Sequence, residues 1–391
     1  PFQAVSTSRV GPTPGIVLMK WTQPSSPTRL IRGKMGARER ATHTHRPYEG
    51  RAVMHITTLG IDVAKQVFQL HGVDGRGRVV LSRRVKREQL LHTVASLPPC
   101  VIGMEACGSA QHWGRAFEPL GHTVKLMHPK YVKPYVKTNK NDRRDAEAIC
   151  EAVSRPTMRG VSIKTVEQTD LQAVHRTRSL FVKHRTAVIN QIRGLLAEYG
   201  VVIGRSPAKV RPALVRLLDD AALGLTALAR ETFAELYAQL TELDARIERV
   251  THRVECLFQA HPVCQKLAAV PGIGPMTATA LVATVGRPQA FQNGRHLAAW
   301  LGLVPRQYSS GGKERLGGIS KRGSRYVRTL LIHGARAVVQ RAERRTDTQG
   351  RWLCALKHRK GTNVAAVALA NKNARVVWAL LAHEAAYRSP A

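Results

Sequence analysis

The sequence predicts an α/β domain followed by helical regions, and three observations carry that prediction. Residues 55–153 alternate short apolar, strand-like runs with amphipathic stretches. Further on, Leu236, Leu240, Leu243, Ile247, Val250, Val254 and Leu257 repeat at steps of four and three, with Glu, Arg and Gln outside the seam. From about Val263, short apolar helices surround Pro271-Gly272-Ile273-Gly274.

Taken in order, residues 1–53 run through Ser, Thr, Pro, Gly and Arg without periodicity. They are expected to be disordered, or an extension upstream of a start at Met54. His55–Val63 predicts the first strand and Val67–Val73 the second; Asp74-Gly75 with Gly77 turns the chain into a third, Arg78–Val85. Glu88–Leu97 is a short helix ended by Pro98-Pro99. Cys100–Met104 is a continuous apolar run, as for a strand buried on both faces. Ser109 is placed to cap a helix towards Leu120, which Gly121 stops. His122–Met127 is the fifth strand, and Asp142 opens a helix through Val153. The order βββαβαβα is that of the ribonuclease-H-like fold: an antiparallel meander, then parallel strands with covering helices. This domain spans 54–155.

Residues 156–262 are helical. One helix runs from about Leu171 to Tyr199, and turn residues around Gly200–Pro212 separate it from the heptad helix. The pair reads either as an antiparallel hairpin packed on its own protein or as an intermolecular coiled coil. Residues 263–391 form a mainly helical domain, in which the P-G-I-G turn has the form of a helix-hairpin-helix. Gly272 and Gly274 would let backbone approach a phosphate, with free N–H groups at the start of the next helix. An ordinary tight helical turn is the alternative.

The chain carries 61 Lys+Arg against 26 Asp+Glu, a net charge of +35 in 391 residues. Such an excess opposes compaction and invites a polyanion, DNA or RNA above all. The six cysteines are scattered with no C-x-x-C pair, which argues against a zinc ribbon or a disulfide framework and fits a reducing cytoplasm. No apolar run approaches the ~20 residues of a membrane span, and no signal-peptide pattern is present.

In that basic chain, Asp142 and Asp145 stand three apart in K-N-D-R-R-D-A. At that spacing on a helix they point the same way and repel, unless something positive lies between them. Asp62 ends the first strand and Glu105 the fourth, strands that are neighbours in a ribonuclease-H-like sheet. Four carboxylates so placed suit Mg²⁺ or Mn²⁺ acting on a phosphodiester. Any one alone is as well explained as a surface or capping residue, Asp142 as the cap of its own helix. A second candidate is Tyr308–Gly323, where Ser309 and Ser310 precede two glycines and Lys313, Arg315, Lys321 and Arg322 follow. It reads either as a flexible phosphate-binding loop or as the site of a serine nucleophile.

The set G-I-D-V-A-K, M-E-A-C-G, K-N-D-R-R-D-A, P-G-I-G-P-M-T-A, G-L-V-P-R and S-S-G-G-K-E-R-L-G-G-I-S-K-R-G resembles the DEDD-type insertion-sequence transposases. These have a RuvC-like N-terminal domain and a serine-bearing C-terminal domain. The resemblance runs from about Met54 to the last helices. It implies a DNA recombinase in which Asp62, Glu105, Asp142 and Asp145 hold Mg²⁺ and Ser310, the serine before the glycine, forms a transient link to DNA. It also implies a structured guide RNA and a composite site shared between protomers of a coiled-coil dimer or tetramer, tilting the heptad reading towards oligomerisation. The doubled Ser309-Ser310 leaves that assignment ambiguous by one position. Two rivals remain from the residues: a RuvC-like junction endonuclease using activated water, and a non-enzymatic nucleic-acid-binding protein.

Overall fold

The computed structural model describes residues 55–137, 141–220, 224–383 and 385–388; the expectation for residues 1–53 lies outside them. Three strands come first, β1 (Thr58–Asp62), β2 (Val67–Val73) and β3 (Val79–Lys86), followed by α1 (Arg87–Ala95), β4 (Val101–Glu105) and α2 (Ala110–Phe117). β5 (Thr123–Met127), a short α3 (Pro129–Val132), α4 (Asp142–Val153) and β6 (Gly160–Val161) complete this part. The sheet order is β3-β2-β1-β4-β5-β6. β1, β2 and β3 form the antiparallel meander, β4 and β5 join β1 in parallel, and β6 adds antiparallel to β5. A two-residue edge strand such as β6 carries no periodic signal and was not foreseen.

Leu59, Gly60 and Ile61 are all buried, because β1 is central and covered on both faces. One face packs on α1 and α2 through Leu90, Val94, Trp113 and Phe117. The other receives α4, through Ala148, Ile149, Ala152 and Val153. Ser109 occupies the N-cap position of α2, but at φ 66° its side chain makes no capping bond, contrary to expectation. Gly121 ends this stretch in the left-handed region at φ 88°.

The next helices are α5 (Val166–Glu198), α6 (Val210–Asp219) and α7 (Ala227–Ala260). α5 begins with a reciprocal cap between Thr165 and Gln168. It lies antiparallel to α7: Arg178 Nε donates to Thr251 Oγ1 at 2.8 Å, and Arg185 Nη1 to Asp244 Oδ1 at 3.1 Å. Of the heptad seam, Leu240, Leu243, Ile247 and Val254 are buried within this one chain. α6 begins at the end of the expected turn segment Gly200–Pro212, and the helix itself was not foreseen.

The last part holds α8 (Pro262–Ala268), α9 (Pro275–Val285), α10 (Gly294–Trp300), a two-stranded ribbon of β7 (Pro305–Gln307) and β8 (Leu316–Ile319), then α11 (Arg325–Gln340), α12 (Thr348–Lys360) and α13 (Thr362–Ala382). α13 corrects the reading that no run approaches a membrane span: its 21 residues suffice by length and composition. Ala365, Ala366, Leu369, Ala370, Ala374 and Val377 are instead buried in the core with α9, α10 and α11, as expected for a helix apolar on most sides.

Candidate active site

The β1–β4 register builds the first site. Gly60 lies beside Gly103 and Ile61 beside Met104, so Asp62 and Glu105 follow one step later, at the C-terminal ends of strands ~4.8 Å apart. Alternation puts Asp62 on the face of Gly60 and Glu105 on that of Gly103. That face belongs to α4. A Cβ on Gly60 would stand 2.3 Å from Ala146 O and 2.6 Å from Cys150 N, and one on Gly103 2.8 Å from Val153 Cβ. The paired glycines therefore seat the helix directly on the sheet.

Direction follows from the same contacts. Ala146 lies over Gly60, while the Cys150 thiol reaches back to Thr58 O at 3.7 Å. α4 thus runs against β1, and its first turn points to the strand ends. Asp142 is four residues before Ala146, ~6 Å of helix; Asp62 is two beyond Gly60, ~6.6 Å of strand. The two acidic pairs lie level, on one face and at one end of the sheet. Asn141 caps α4 by accepting from Arg144 N at 3.0 Å, so Asp142 is not the cap. Both helix acids sit in the first turn of α4, where the helix dipole favours negative charge and offsets their repulsion. Asp62, Glu105 and Asp145 are half-buried and Asp142 exposed. The nearby Cys107 thiol is pushed up by desolvation, with Glu105 and then Asp62 adding to it.

Carboxylate oxygens are the donors that hard divalent cations prefer. Among the described residues, however, no three His, Cys, Asp or Glu side chains gather to hold one ion. The site presents itself as two pairs, and the expected four-carboxylate cluster is level and co-facial without being closed. Two neighbours escaped the sequence reading. Gln69 is the cross-strand partner of Asp62 and His71 that of Gly60; both are buried, and His71 Nδ1 has no hydrogen-bond partner among the described residues. Burial holds the His71 imidazole below its ordinary value. Alternation along β2 was the available signal, but Gln and His on a strand do not announce which face they take.

The second candidate is an ordered β-hairpin rather than the flexible loop allowed above. β7 pairs antiparallel with β8, and Ser310 bridges Lys313 at the tip, with Lys313 N donating to Ser310 O at 3.1 Å. Gly311 and Gly312 take φ 56° and 74°, the two positive values that a tight I′ turn demands. Ser309 Oγ accepts from Gln307 Nε2 at 3.0 Å and Arg315 N at 3.3 Å. Ser310 Oγ has no partner among the described residues. Lys313 and Arg315 are exposed near the tip, and Lys321 and Arg322 are exposed at the base of the hairpin. The hairpin's cross-stem backbone bonds lie between residues 302 and 321.

At the P-G-I-G turn, Gly272 has φ 91° and a Cβ there would meet Gly334 O at 2.9 Å. The close approach of α11 is by itself enough to call for glycine at this position. Gly274, at the start of α9, has nothing within 4 Å of its Cβ position among the described residues.

Comparison with known proteins finds two family models on the chain. A family model described as a transposase, of the DEDD type of the IS110 group, matches residues 59–201. A second, described as the transposase IS116/IS110/IS902 family, matches residues 264–350. These are enzymes that cut and transfer DNA strands. The chain is 50% identical over 336 residues to a probable family 20 transposase of Pseudomonas aeruginosa, covering 86% of this chain and 99% of the relative. It is 48% identical over 338 residues to the transposase for insertion sequence element IS1111A of Coxiella burnetii, covering 86% and 93%. With the transposase for IS1328 of Yersinia enterocolitica it shares 38% identity over 336 residues, covering 83% and 96%. The chain belongs to the IS110/IS116/IS902 family of insertion-sequence transposases.

Proposed function

We propose that this transposase is an RNA-guided recombinase that cuts and rejoins DNA through Ser310. The observation that carries the reading is the level, co-facial placement of Asp62 and Glu105 with the first turn of α4. The 3-2-1-4-5 strand order supports the RuvC-like, ribonuclease-H-like description of that part. In the reaction, Ser310 Oγ attacks a DNA phosphorus. An Oγ–P bond forms as the P–O bond to one deoxyribose breaks; the serine proton passes to a base and the departing oxygen takes one up. Attack by another strand's hydroxyl reverses the exchange, so one phosphodiester replaces another without ATP. Mg²⁺ or Mn²⁺ held by Asp62, Glu105, Asp142 and Asp145 would neutralise charge on the phosphate. Lys313, Arg315, Lys321 and Arg322 bind the flanking backbone, and Gly274 offers the start of α9 to another phosphate.

The net charge of +35 suits a structured guide RNA as well as DNA. A dimer or tetramer remains part of the proposal, with the carboxylates of one protomer serving Ser310 of another. Because much of the heptad seam faces α5 in the same chain, that assembly would use other surfaces or exchange α7 between chains. The cellular setting is the cytoplasm, at the nucleoid.

Trapping a protein–DNA adduct on element-end DNA tests the reading. Asp62→Ala and Ser310→Ala should each abolish strand cleavage, and only the wild-type chain should yield adduct. Cleavage that survives Ser310→Ala but not Asp62→Ala would leave a RuvC-like endonuclease using water. Activity unchanged by Glu105→Ala would leave a nucleic-acid-binding protein. RNA recovered from the purified protein, or its absence, decides the guide.

A further inference from the structure

We infer that Arg328 is a positioning residue that locks both stems of the Ser310 hairpin; its catalytic meaning rests on the reading of Ser310 above. Arg328 lies in the first turn of α11 and is only 7% exposed. A single terminal nitrogen, Nη1, donates to Leu301 O at 3.0 Å and to Arg322 O at 2.8 Å. Leu301 lies just before β7 and Arg322 just after β8. One guanidinium thus holds the chain where it enters the hairpin and where it leaves.

The two stems are pressed together by glycines. A Cβ on Gly302 would stand 2.3 Å from Arg322 O, and one on Gly323 1.9 Å from Trp300 O. Both glycines have positive φ, 74° and 71°. Lys321 N donates to Gly302 O at 3.1 Å and Ser320 N to Val304 O at 2.8 Å. This crossing makes G-L-V-P-R and S-K-R-G, on either side of the serines, the two halves of one joint.

No carboxylate pairs with Arg328 among the described ion pairs. A buried cation with carbonyl partners alone is a costly way to obtain stability. It is an effective way to aim an exposed tip, since a misplacement of ~1 Å at a reacting atom can slow reaction ~10²-fold.

The test uses the full chain with Arg328→Ala and Arg328→Lys, read by backbone hydrogen exchange and by strand exchange. Amides of Tyr308, Lys313 and Ser320 should exchange about tenfold faster, while those of Ile61 and Met104 stay unchanged. Strand exchange should fall about 10²-fold with DNA affinity kept within about twofold. Millimolar guanidinium, but not methylammonium, should restore part of the loss in Arg328→Ala. If that variant does not fold, Arg328→Lys is read by the same exchange pattern. Hairpin amides left at wild-type rates, or a uniform acceleration across the whole chain, overturns the inference. The exchange readout does not depend on Ser310 chemistry. A Ser310→Ala chain that still cleaves would therefore refute the serine mechanism while leaving the joint intact.

Discussion

The carboxylate end of the sheet and the serine hairpin are built in opposite ways. Asp62 and Glu105 stand at the ends of buried parallel strands, and α4 is seated so tightly that glycine is required beneath it. Ser310 stands at an exposed tip that no core supports, on a joint closed by glycines and one buried guanidinium. The first site is positioned by packing and the second by backbone geometry. Removing atoms should therefore damage them differently.

The largest effects come from the chemical groups themselves. Asp62→Asn or Ser310→Ala should lower strand exchange on the order of 10⁴-fold, as removal of a central catalytic group does, with the thermal midpoint unchanged. If either leaves the rate within about tenfold of wild type, the two-site division is wrong. Next is Gly60→Val. It forces a side chain into the Ala146 carbonyl and should cost ~3 kcal/mol in denaturant unfolding. The same change at Gly274, whose Cβ position is open, should cost ~1 kcal/mol or less.

A third prediction concerns the footing of the hairpin. His175, buried on α5, approaches Tyr326 Oη and Thr279 Oγ1 at 3.0 Å each, joining α5, α9 and α11. Burial, with Arg178 adding, pulls its imidazole from 6.5 down to about 4. The unfolded chain therefore takes up a proton that the folded chain refuses. Stability should fall as pH drops from 6.5 to about 4, by ~2–3 kcal/mol in all. Unfolding curves of His175→Gln should lack that slope. Smallest is Gly312→Ala: a side chain at φ 74° costs ~1 kcal/mol locally. Strand exchange should slow severalfold with the midpoint barely moved, in contrast to Gly60→Val.

Much of this was legible before folding was considered. The strand Val67–Val73 and the helix Asp142–Val153 coincide with the structure, because alternation and a polar helix start are local signals. The motif resemblance is borne out by both family models. Asn141 was overlooked as the cap because Asp142 is an equally good capping type. The hairpin was read as loop because Ser-Ser-Gly-Gly-Lys has no apolar alternation. Its order comes from positive-φ glycines and from bonds across the stems. That Gly272 also abuts α11 could not be read beforehand, because Gly334 lies far along the chain. Arg328 and His175 were invisible for the same reason. A polar residue in a helix gives no sign of which distant carbonyls or hydroxyls it will meet.

The match between four residues of α4 and two of β1 has an evolutionary reading. One uncharged residue inserted between Asp145 and Ala146 would leave the net charge and every residue of the motif intact. It would also swing both acids about 100° around the helix axis, away from Asp62 and Glu105. Surface loops tolerate length change easily, whereas this short span behaves as a toothed coupling in which only whole-turn slips remesh. Decaying copies of such elements should then fail at single-codon indels in this span as surely as at the loss of an aspartate.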